Sequence, residues 1–291
     1  MSHDSLTPIL VFQMAKVASV SWYEAIRQAL PQRPVHHFHY ASPAVLAFIA
    51  SVRDMEGERQ TIAHRNMFRR LGLPGPELLA MLGEKGWTGP PVRIVAGIRE
   101  PMARSLSVLQ HGADFLGHTR LALTLREGGT AENLLRIFNH GWRQALGQDV
   151  AEDSFSRFLG FGFAHYGTWF AEELQATFGL DAMAGTFDRS SGVMRLESGE
   201  HAAIVYRVED LPDAVRRKSV LAAASDLLGA RIEELPTLNA AEGRRSRDLY
   251  KSFQAIARLP AESIAQIYAA PILHKFYSAE EITAFKARWT K

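Results

Sequence analysis

The segment from Ile9 to Trp22 constrains the fold of this chain more than any other. An apolar run over about 8–13 is typical of a strand, and it ends in a short loop of small residues before an amphipathic helix. Lys16 lies in this loop, and the hydroxyls of Ser19 and Ser21 follow it. Such a loop brings backbone N–H groups together, and the helix dipole adds about half a positive charge. The segment therefore predicts a binding site for a phosphate-like group.

Two common sequence patterns account for this loop less well. The nucleoside-triphosphate loop motif Gly-x-x-x-x-Gly-Lys-Ser/Thr is absent from the sequence, so the loop is not of that type. Ser21 followed by Glu24 is also a capping box, which would explain Ser21 as well as anion binding does. The capping box does not explain Lys16, whose charge lies between an apolar strand and an apolar helix face.

A second motif follows another apolar run, over about 91–98. Arg99 comes directly after this predicted strand, and Pro101 suits the first turn of a helix. Arg104 and Ser107 lie further along the same predicted helix. A guanidinium holds a phosphate with a planar fork of donors. The alternative is a surface arginine beside a proline that starts a helix.

The two motifs together resemble the signature pair of sulfotransferases that use 3′-phosphoadenosine 5′-phosphosulfate (PAPS). The resemblance implies that Arg99 and Ser107 bind the 3′-phosphate. It also implies that Lys16 stabilises the charge that builds up on the bridging oxygen during transfer. Ala15 stands where many members have Pro or Gly, and Val20 where many have Thr. The resemblance implies that the 5′-phosphosulfate is held by Lys16, Val17, Ala18, Ser19, Val20 and Ser21.

Three later segments extend the resemblance to a bacterial group of capsular polysaccharide synthesis proteins in the same superfamily. These segments begin at Trp169, Tyr206 and His274, and the last closes at Trp289. The group implies a carbohydrate acceptor, such as a capsular or other cell-surface polysaccharide or its precursor.

The alternation of apolar runs with helical patterns predicts an α/β fold with a mostly parallel sheet flanked by helices. The resemblance implies the P-loop-like sulfotransferase fold with a helical C-terminal part. We expect one domain over 1–291, with helical additions at about 101–180 and 245–291. Predicted strands cover about 8–13, 35–40, 91–98 and 203–208, with an irregular or hairpin region at 184–200. Predicted helices cover about 19–30, 43–55, 58–72, 75–84, 101–125, 130–149 and 165–178, a stretch after Pro212, and the chain from about 245.

Sulfuryl transfer to a hydroxyl needs a base that takes the acceptor's proton. His37 and His39 share one face of the second predicted strand near its carboxyl end, where ligands of parallel sheets bind. We therefore select His39 as the base, with His37 or His64 as alternatives. The two strand histidines could instead be bonded to backbone. They could also ligate zinc, but no further ligand cluster with suitable spacing supports a metal site.

Structural roles account for several other polar and aromatic residues. Glu209 and Asp210 precede Pro212, and we expect them to cap the next helix. Arg244, Arg245 and Arg247 form a basic cluster that either starts a helix or, by the resemblance, closes over the 3′-phosphate. An aromatic set is expected to be mostly core, with some members available to line an acceptor cleft: Phe155, Phe158, Phe161, Phe163, Tyr166, Trp169 and Phe170.

Composition narrows the classes of function. The chain has 291 residues, 47% of them hydrophobic, and a net charge of +2. There is no basic stripe with interleaved aromatics, so we expect no nucleic-acid partner. No run approaches the roughly 20 apolar residues of a membrane helix, and no secretory signal is evident. The absence of cysteine agrees with a reducing compartment, so we expect a cytoplasmic protein. The oligomeric state stays open.

We therefore expect a PAPS-dependent sulfotransferase that acts on a bacterial carbohydrate and releases 3′-phosphoadenosine 5′-phosphate, without a metal. A P-loop-type phosphotransferase that uses ATP is the first alternative, although the loop glycine and a clear acidic magnesium site are missing. A non-catalytic module of polysaccharide biosynthesis is the second, and Val20 favours it. A glycosyltransferase is less favoured, because the sequence has no Asp-x-Asp for a metal-bound sugar nucleotide.

Overall fold

The structure is a computed structural model. It divides into two compact units, which we call the sheet unit (1–46, 71–99 and 169–238) and the helical unit (47–70, 100–168 and 239–291). The residues it describes are 7–54, 73–84, 86–115, 130–150, 154–237 and 247–291.

A five-stranded, mostly parallel sheet forms the centre of the sheet unit. Its strand order is β2-β1-β5-β7-β6, and only β6 is antiparallel to its neighbour. A separate antiparallel hairpin joins β3 to β4. The strands are β1 (Ile9–Phe12), β2 (Val35–Phe38), β3 (Leu82–Gly83), β4 (Gly86–Trp87), β5 (Arg93–Ile98), β6 (Val193–Ser198) and β7 (His201–Arg207). The predicted α/β class with a mostly parallel sheet flanked by helices is confirmed.

Twelve α-helices occur in the described ranges. They are α1 (Ser19–Ala29), α2 (Pro43–Asp54), α3 (Pro76–Leu79), α4 (Pro101–Phe115), α5 (Ala131–Ala145), α6 (Ser154–Ala164), α7 (Ala176–Phe178), α8 (Ala214–Leu228), α9 (Arg247–Ile256), α10 (Ala261–Ile267), α11 (Pro271–Phe276) and α12 (Ala279–Trp289). A π-helical turn at Phe170–Gln175 leads directly into α7. None of the helices in the described ranges is long and apolar enough to cross a membrane.

Both faces of the sheet are covered within the sheet unit, which explains why β1 is apolar at every position. Side chains of a strand alternate between faces. Ile9 and Val11 therefore join a buried cluster with Trp22 of α1 and Val220 of α8. Phe12 lies on the opposite face, with its ring centroid 4.6 Å from Phe38, 5.0 Å from Trp169 and 5.6 Å from Phe178.

The strand register brings three carboxyl ends to one edge of the sheet. Phe12, the last residue of β1, pairs with Phe38, the last residue of β2. β5 runs parallel to β1 on its other side, with Val95 opposite Val11. Residues that directly follow these strands therefore lie at the edge where ligands of parallel sheets bind.

The helical unit is held by a buried aromatic cluster and by polar groups at the start of α4. The ring of Phe138 lies 5.6 Å from both Phe163 and Phe253. The carboxylate of Glu100 accepts hydrogen bonds from the N–H groups of Met102 (2.8 Å) and Ala103 (2.7 Å), and so caps α4. The Tyr268 hydroxyl also donates to Glu100.

Most predicted elements are confirmed, with differences at two places. The helix expected over 75–84 is only α3, because a hairpin follows in which Gly86 has φ 114°, a conformation that favours glycine. α6 was not predicted. Residues 58–72 and the end of the helix expected over 101–125 lie outside the described residues. The single-domain organisation stays a prediction.

The expectation that Asp210 caps the next helix is wrong. Asp213 caps α8, since its carboxylate accepts from the N–H groups of Val215 and Arg216, both at 2.9 Å. Asp210 instead pairs with Arg207 at 2.7 and 2.6 Å, and the two side chains are only 1% and 2% exposed. Arg216 adds a second contact to Asp210 at 2.8 Å. Burial with two cations makes this carboxylate a structural group.

Replacing Asp210 with alanine takes the carboxylate away from a buried guanidinium. We expect Asp210→Ala to lower the free energy of unfolding by about 3 kcal/mol or more, measured by urea denaturation. The matched control is Asp226→Ala, which breaks the exposed pair of Arg195 and Asp226 (55% and 69% exposed). We expect the control to lose less than about 1 kcal/mol. Equal losses in the two variants would contradict the structural role of Asp210.

Candidate anion-binding site

The loop between β1 and α1 has an unusual backbone. Lys16 (φ 73°) and Ala18 (φ 65°) are the non-glycine residues with positive φ in the described part of the chain. Each such residue costs on the order of 1 kcal/mol, and strain of this kind clusters at ligand sites. Left-handed residues also occur in backbone turns whose N–H groups bind an anion.

Three side chains hold carbonyl oxygens of this loop. His39 Nδ1 lies 2.6 Å from the Gln13 carbonyl oxygen, and Arg99 Nη1 donates to the Lys16 carbonyl oxygen at 3.3 Å. The Tyr206 hydroxyl donates to the carbonyl oxygen of Val17. The carbonyl and the N–H of a trans peptide point in opposite directions, and the described chain has no cis peptide. The N–H groups of the residues that follow Gln13, Lys16 and Val17 therefore point away from these three donors.

α1 begins directly after this loop, at Ser19. The residue before the helix, Ala18, has no polar side-chain atom, and the first turn carries no acidic residue. The first N–H bonded within the helix belongs to Trp22, at 3.2 Å from the Ala18 carbonyl oxygen. Ser21 is the third residue of α1, so the capping box with Glu24 is wrong. The positive end of the helix dipole thus has no side-chain cap from Ala18 and no carboxylate from the first turn.

The residues of the predicted phosphosulfate motif differ in exposure. Ser19 and Ser21 are only 6% and 8% exposed, whereas Val20 between them is 38% exposed. Lys16 and Ala18 are half-buried, and Val17 is buried. Lys16 and the apolar Val20 are therefore more exposed than the two serines.

Tyr206 reaches the loop across a glycine that the sequence motifs did not mark. A Cβ on Gly97 would lie 2.7 Å from Tyr206 Cζ, so only glycine leaves room for this ring. The Tyr206 hydroxyl oxygen also lies 3.1 Å from Gln13 Oε1. Burial raises the pKa of Tyr206, which keeps the hydroxyl a neutral donor. The signal for this contact was a glycine inside an apolar strand, which often marks a close approach.

The two predicted histidines are neighbours at the end of β2. Their ring centroids lie 5.0 Å apart, and His39 comes directly after the last residue of the strand. Because a carbonyl oxygen only accepts, the short contact to Gln13 places a proton on His39 Nδ1 and leaves the Nε2 lone pair in the neutral ring. Burial lowers the pKa of His37 to about 4, which makes it a weaker base than an ordinary histidine.

The second predicted motif is divided between the two units. Arg99 belongs to the sheet unit and is half-buried, and a guanidinium has five donors, so its bond to Lys16 leaves others for a ligand. Ser107 lies on α4 in the helical unit and is half-buried. Arg104 is only 2% exposed and donates to the Gly162 carbonyl oxygen at 2.7 Å, so its role is structural.

Three predicted residues fall beyond the described ranges. His64, Arg244 and Arg245 lie outside the described residues, and Arg247 is the first residue of α9. Among the described side chains, no group of three or more histidines, aspartates or glutamates is arranged to hold a metal ion.

Glu173 is a buried acid to which the sequence patterns gave no role. It is fully buried in the π-helical turn, and its Oε2 accepts from the N–H groups of Ala41 (2.7 Å) and Ser42 (2.8 Å). Burial raises the pKa of Glu173 to about 8. The segment that directly follows His39 is therefore held by a carboxyl group that is protonated at neutral pH.

The raised pKa of Glu173 predicts a loss of stability as the pH rises. The unfolded chain releases this proton near pH 4.5 and the folded chain near pH 8, so unfolding becomes easier across that window. The lowered pKa of His37 has the opposite effect and increases stability as the pH rises. This effect is confined to pH values below 6.5, the ordinary pKa of histidine. Between pH 6.5 and 8 we expect the free energy of unfolding to fall by up to about 1.4 kcal/mol per pH unit.

Urea denaturation across this range measures the effect, with Glu173→Gln as the control. The amide keeps an acceptor oxygen but does not titrate, so its stability should be nearly flat between pH 6.5 and 8. Parallel curves for the two proteins would contradict a raised pKa at Glu173.

Comparison of the chain with protein-family models, with curated proteins and with solved structures gave no significant match.

Proposed function

We propose that this protein is a sulfotransferase that uses PAPS and transfers its sulfuryl group to a hydroxyl of a bacterial carbohydrate. The observation that carries the proposal is the loop between β1 and α1. Its carbonyls at Gln13, Lys16 and Val17 are held by side chains, and α1 begins without a side-chain cap. A strand, such a loop and a helix N-terminus form an arrangement that suits a phosphosulfate.

The charges around this loop support an anionic ligand. Lys16 lies in the loop, and Arg99 follows β5 at the same edge of the sheet with a bond to the loop itself. In the proposal Lys16 and the N–H groups from Val17 to Ser21 hold the 5′-phosphosulfate, and Arg99 binds the 3′-phosphate. The role of Ser107 stays a prediction of the resemblance. The specific fold proposed is the P-loop-like sulfotransferase fold.

The proposed chemistry follows from these roles. PAPS supplies a sulfuryl group on a good leaving group. Lys16 stabilises the negative charge that builds up on the phosphate oxygen when its bond to sulfur breaks. His39 takes the proton of the acceptor hydroxyl on Nε2, the ring nitrogen that keeps its lone pair while Nδ1 bonds Gln13. The products are a sulfated carbohydrate and 3′-phosphoadenosine 5′-phosphate. The carbohydrate acceptor rests on the resemblance of the sequence segments.

Calorimetry with 3′-phosphoadenosine 5′-phosphate tests the donor site. We expect micromolar binding that is much tighter than the binding of ATP or AMP. Arg99→Ala should weaken binding about tenfold or more, because it removes a charged hydrogen bond.

The matched control is Arg93→Ala, at the opposite end of the same strand, where the guanidinium bonds the carbonyls of Val92 and Glu200. The control should bind within about twofold of the unchanged protein, since a lost surface contact well away from a site alters little. ATP that binds as tightly as 3′-phosphoadenosine 5′-phosphate would instead favour a phosphotransferase.

Turnover tests the role of Lys16. With PAPS and an acceptor found by screening oligosaccharides and polysaccharides, we expect Lys16→Ala to lower kcat about 100-fold or more, because a donor to the developing charge is lost. Lys218→Ala, at an exposed position on α8, is the control and should retain full turnover. Release of 3′-phosphoadenosine 5′-phosphate by Lys16→Ala at the unchanged rate would reject the assignment.

A further inference from the structure

The four residues after β2 are attached to one helical segment. The Trp169 indole N–H donates to the carbonyl oxygen of His39 at 2.9 Å. One turn later, Glu173 Oε2 accepts from the N–H groups of Ala41 and Ser42 at 2.7 and 2.8 Å. Two side chains of one helical segment thus make three hydrogen bonds to the backbone of residues 39–42, and all these residues belong to the sheet unit.

Both anchoring side chains lie in the core of the sheet unit. Trp169 and Glu173 have no exposed surface, and the Trp169 ring packs 5.0 Å from Phe12 of β1. A polar group in such a place is costly unless it is bonded. Trp169 Nε1 and Glu173 Oε2 both bond backbone groups of the segment that begins with His39. Because these two buried side chains need their partners, they hold this segment against the sheet.

The imidazole of His39 is anchored as well. Nδ1 lies 2.6 Å from the Gln13 carbonyl oxygen, at the start of the loop that carries Lys16. The backbone of His39 is therefore held by Trp169 and its ring by Gln13. If the backbone moved, the ring would lose this short contact, since the geometry of a hydrogen bond tolerates only small displacements.

We propose that Trp169 and Glu173 are positioning residues for His39: they hold its backbone so that Nδ1 stays on Gln13 and Nε2 keeps one orientation. This inference rests on the proposed function where it takes His39 as the base. Trp169 and Glu173 do not touch the acceptor in this account. They act through the backbone of residues 39–42, at the edge of the sheet where β1 and β2 end.

The ring nitrogens of His39 report the positioning directly. In the unchanged protein we expect ¹⁵N–¹H NMR to show the neutral form of His39 with its proton on Nδ1, because Nδ1 lies 2.6 Å from the Gln13 carbonyl oxygen. Trp169→Phe keeps an aromatic ring and removes the N–H, and Glu173→Leu removes the acceptor. In both variants we expect a clear population with the proton on Nε2, because the contact to Gln13 loosens. Glu173→Gln, which keeps an acceptor oxygen, should restore the Nδ1 form.

Kinetics provide the second readout. Small displacements of a base cost much of its effect, so we expect kcat to fall about tenfold or more in Trp169→Phe and Glu173→Leu. The affinity for 3′-phosphoadenosine 5′-phosphate should stay within about twofold, since the anion loop keeps its other anchors. Glu173→Gln should again resemble the unchanged protein in kcat.

Two results would overturn the inference. One is an unchanged His39 spectrum in folded Trp169→Phe, a measurement that needs no ligand. The other is a fall in nucleotide affinity that accounts for the whole loss of turnover. If the unchanged protein did not bind 3′-phosphoadenosine 5′-phosphate, the proposed function would be rejected, but the positioning of His39 would not. The imidazole spectra test that positioning separately, because they are recorded without a ligand.

Discussion

The hydrogen bonds that His39, Arg99 and Tyr206 make to carbonyl oxygens are the interactions on which the candidate site depends. They fix the backbone of the loop after β1 in a shape that includes two left-handed residues, Lys16 and Ala18. Each strained residue costs on the order of 1 kcal/mol, and each hydrogen bond contributes a similar amount. Together the three bonds therefore offset the strain of the two left-handed residues.

The parallel sheet explains why three donors distant in sequence reach one loop. β1 lies between β2 and β5, and the carboxyl ends of these strands meet at one edge. His39 follows β2 and Arg99 follows β5, so both stand beside the loop. Tyr206 comes from β7, one strand further away, and it reaches the loop over Gly97. The site is therefore a consequence of strand order, and a side chain on Gly97 would block it.

The sequence predicted the parts of this arrangement that local patterns encode. Apolar runs located β1 and β5, Lys16 marked the loop, and Arg99 and His39 followed from their positions at strand ends. It could not predict which groups bond the loop. The contact of Tyr206 with Val17 spans 189 residues, and that of Glu173 with Ala41 spans 132, so neither has a local spacing that could reveal it. The capping box at Ser21 failed because the same residue pattern also fits the third position of a helix.

In the proposal, backbone N–H groups of the loop after β1 bind the anion. NMR of the backbone amides during titration with 3′-phosphoadenosine 5′-phosphate tests this most directly. We expect the largest shifts, in the direction of stronger hydrogen bonding, at Val17, Ala18 and the first residues of α1. The amides of the hairpin formed by β6 and β7 should change little, except near Tyr206. Shifts that leave residues 16–21 unchanged, or no shifts at all, would contradict an anion site in this loop.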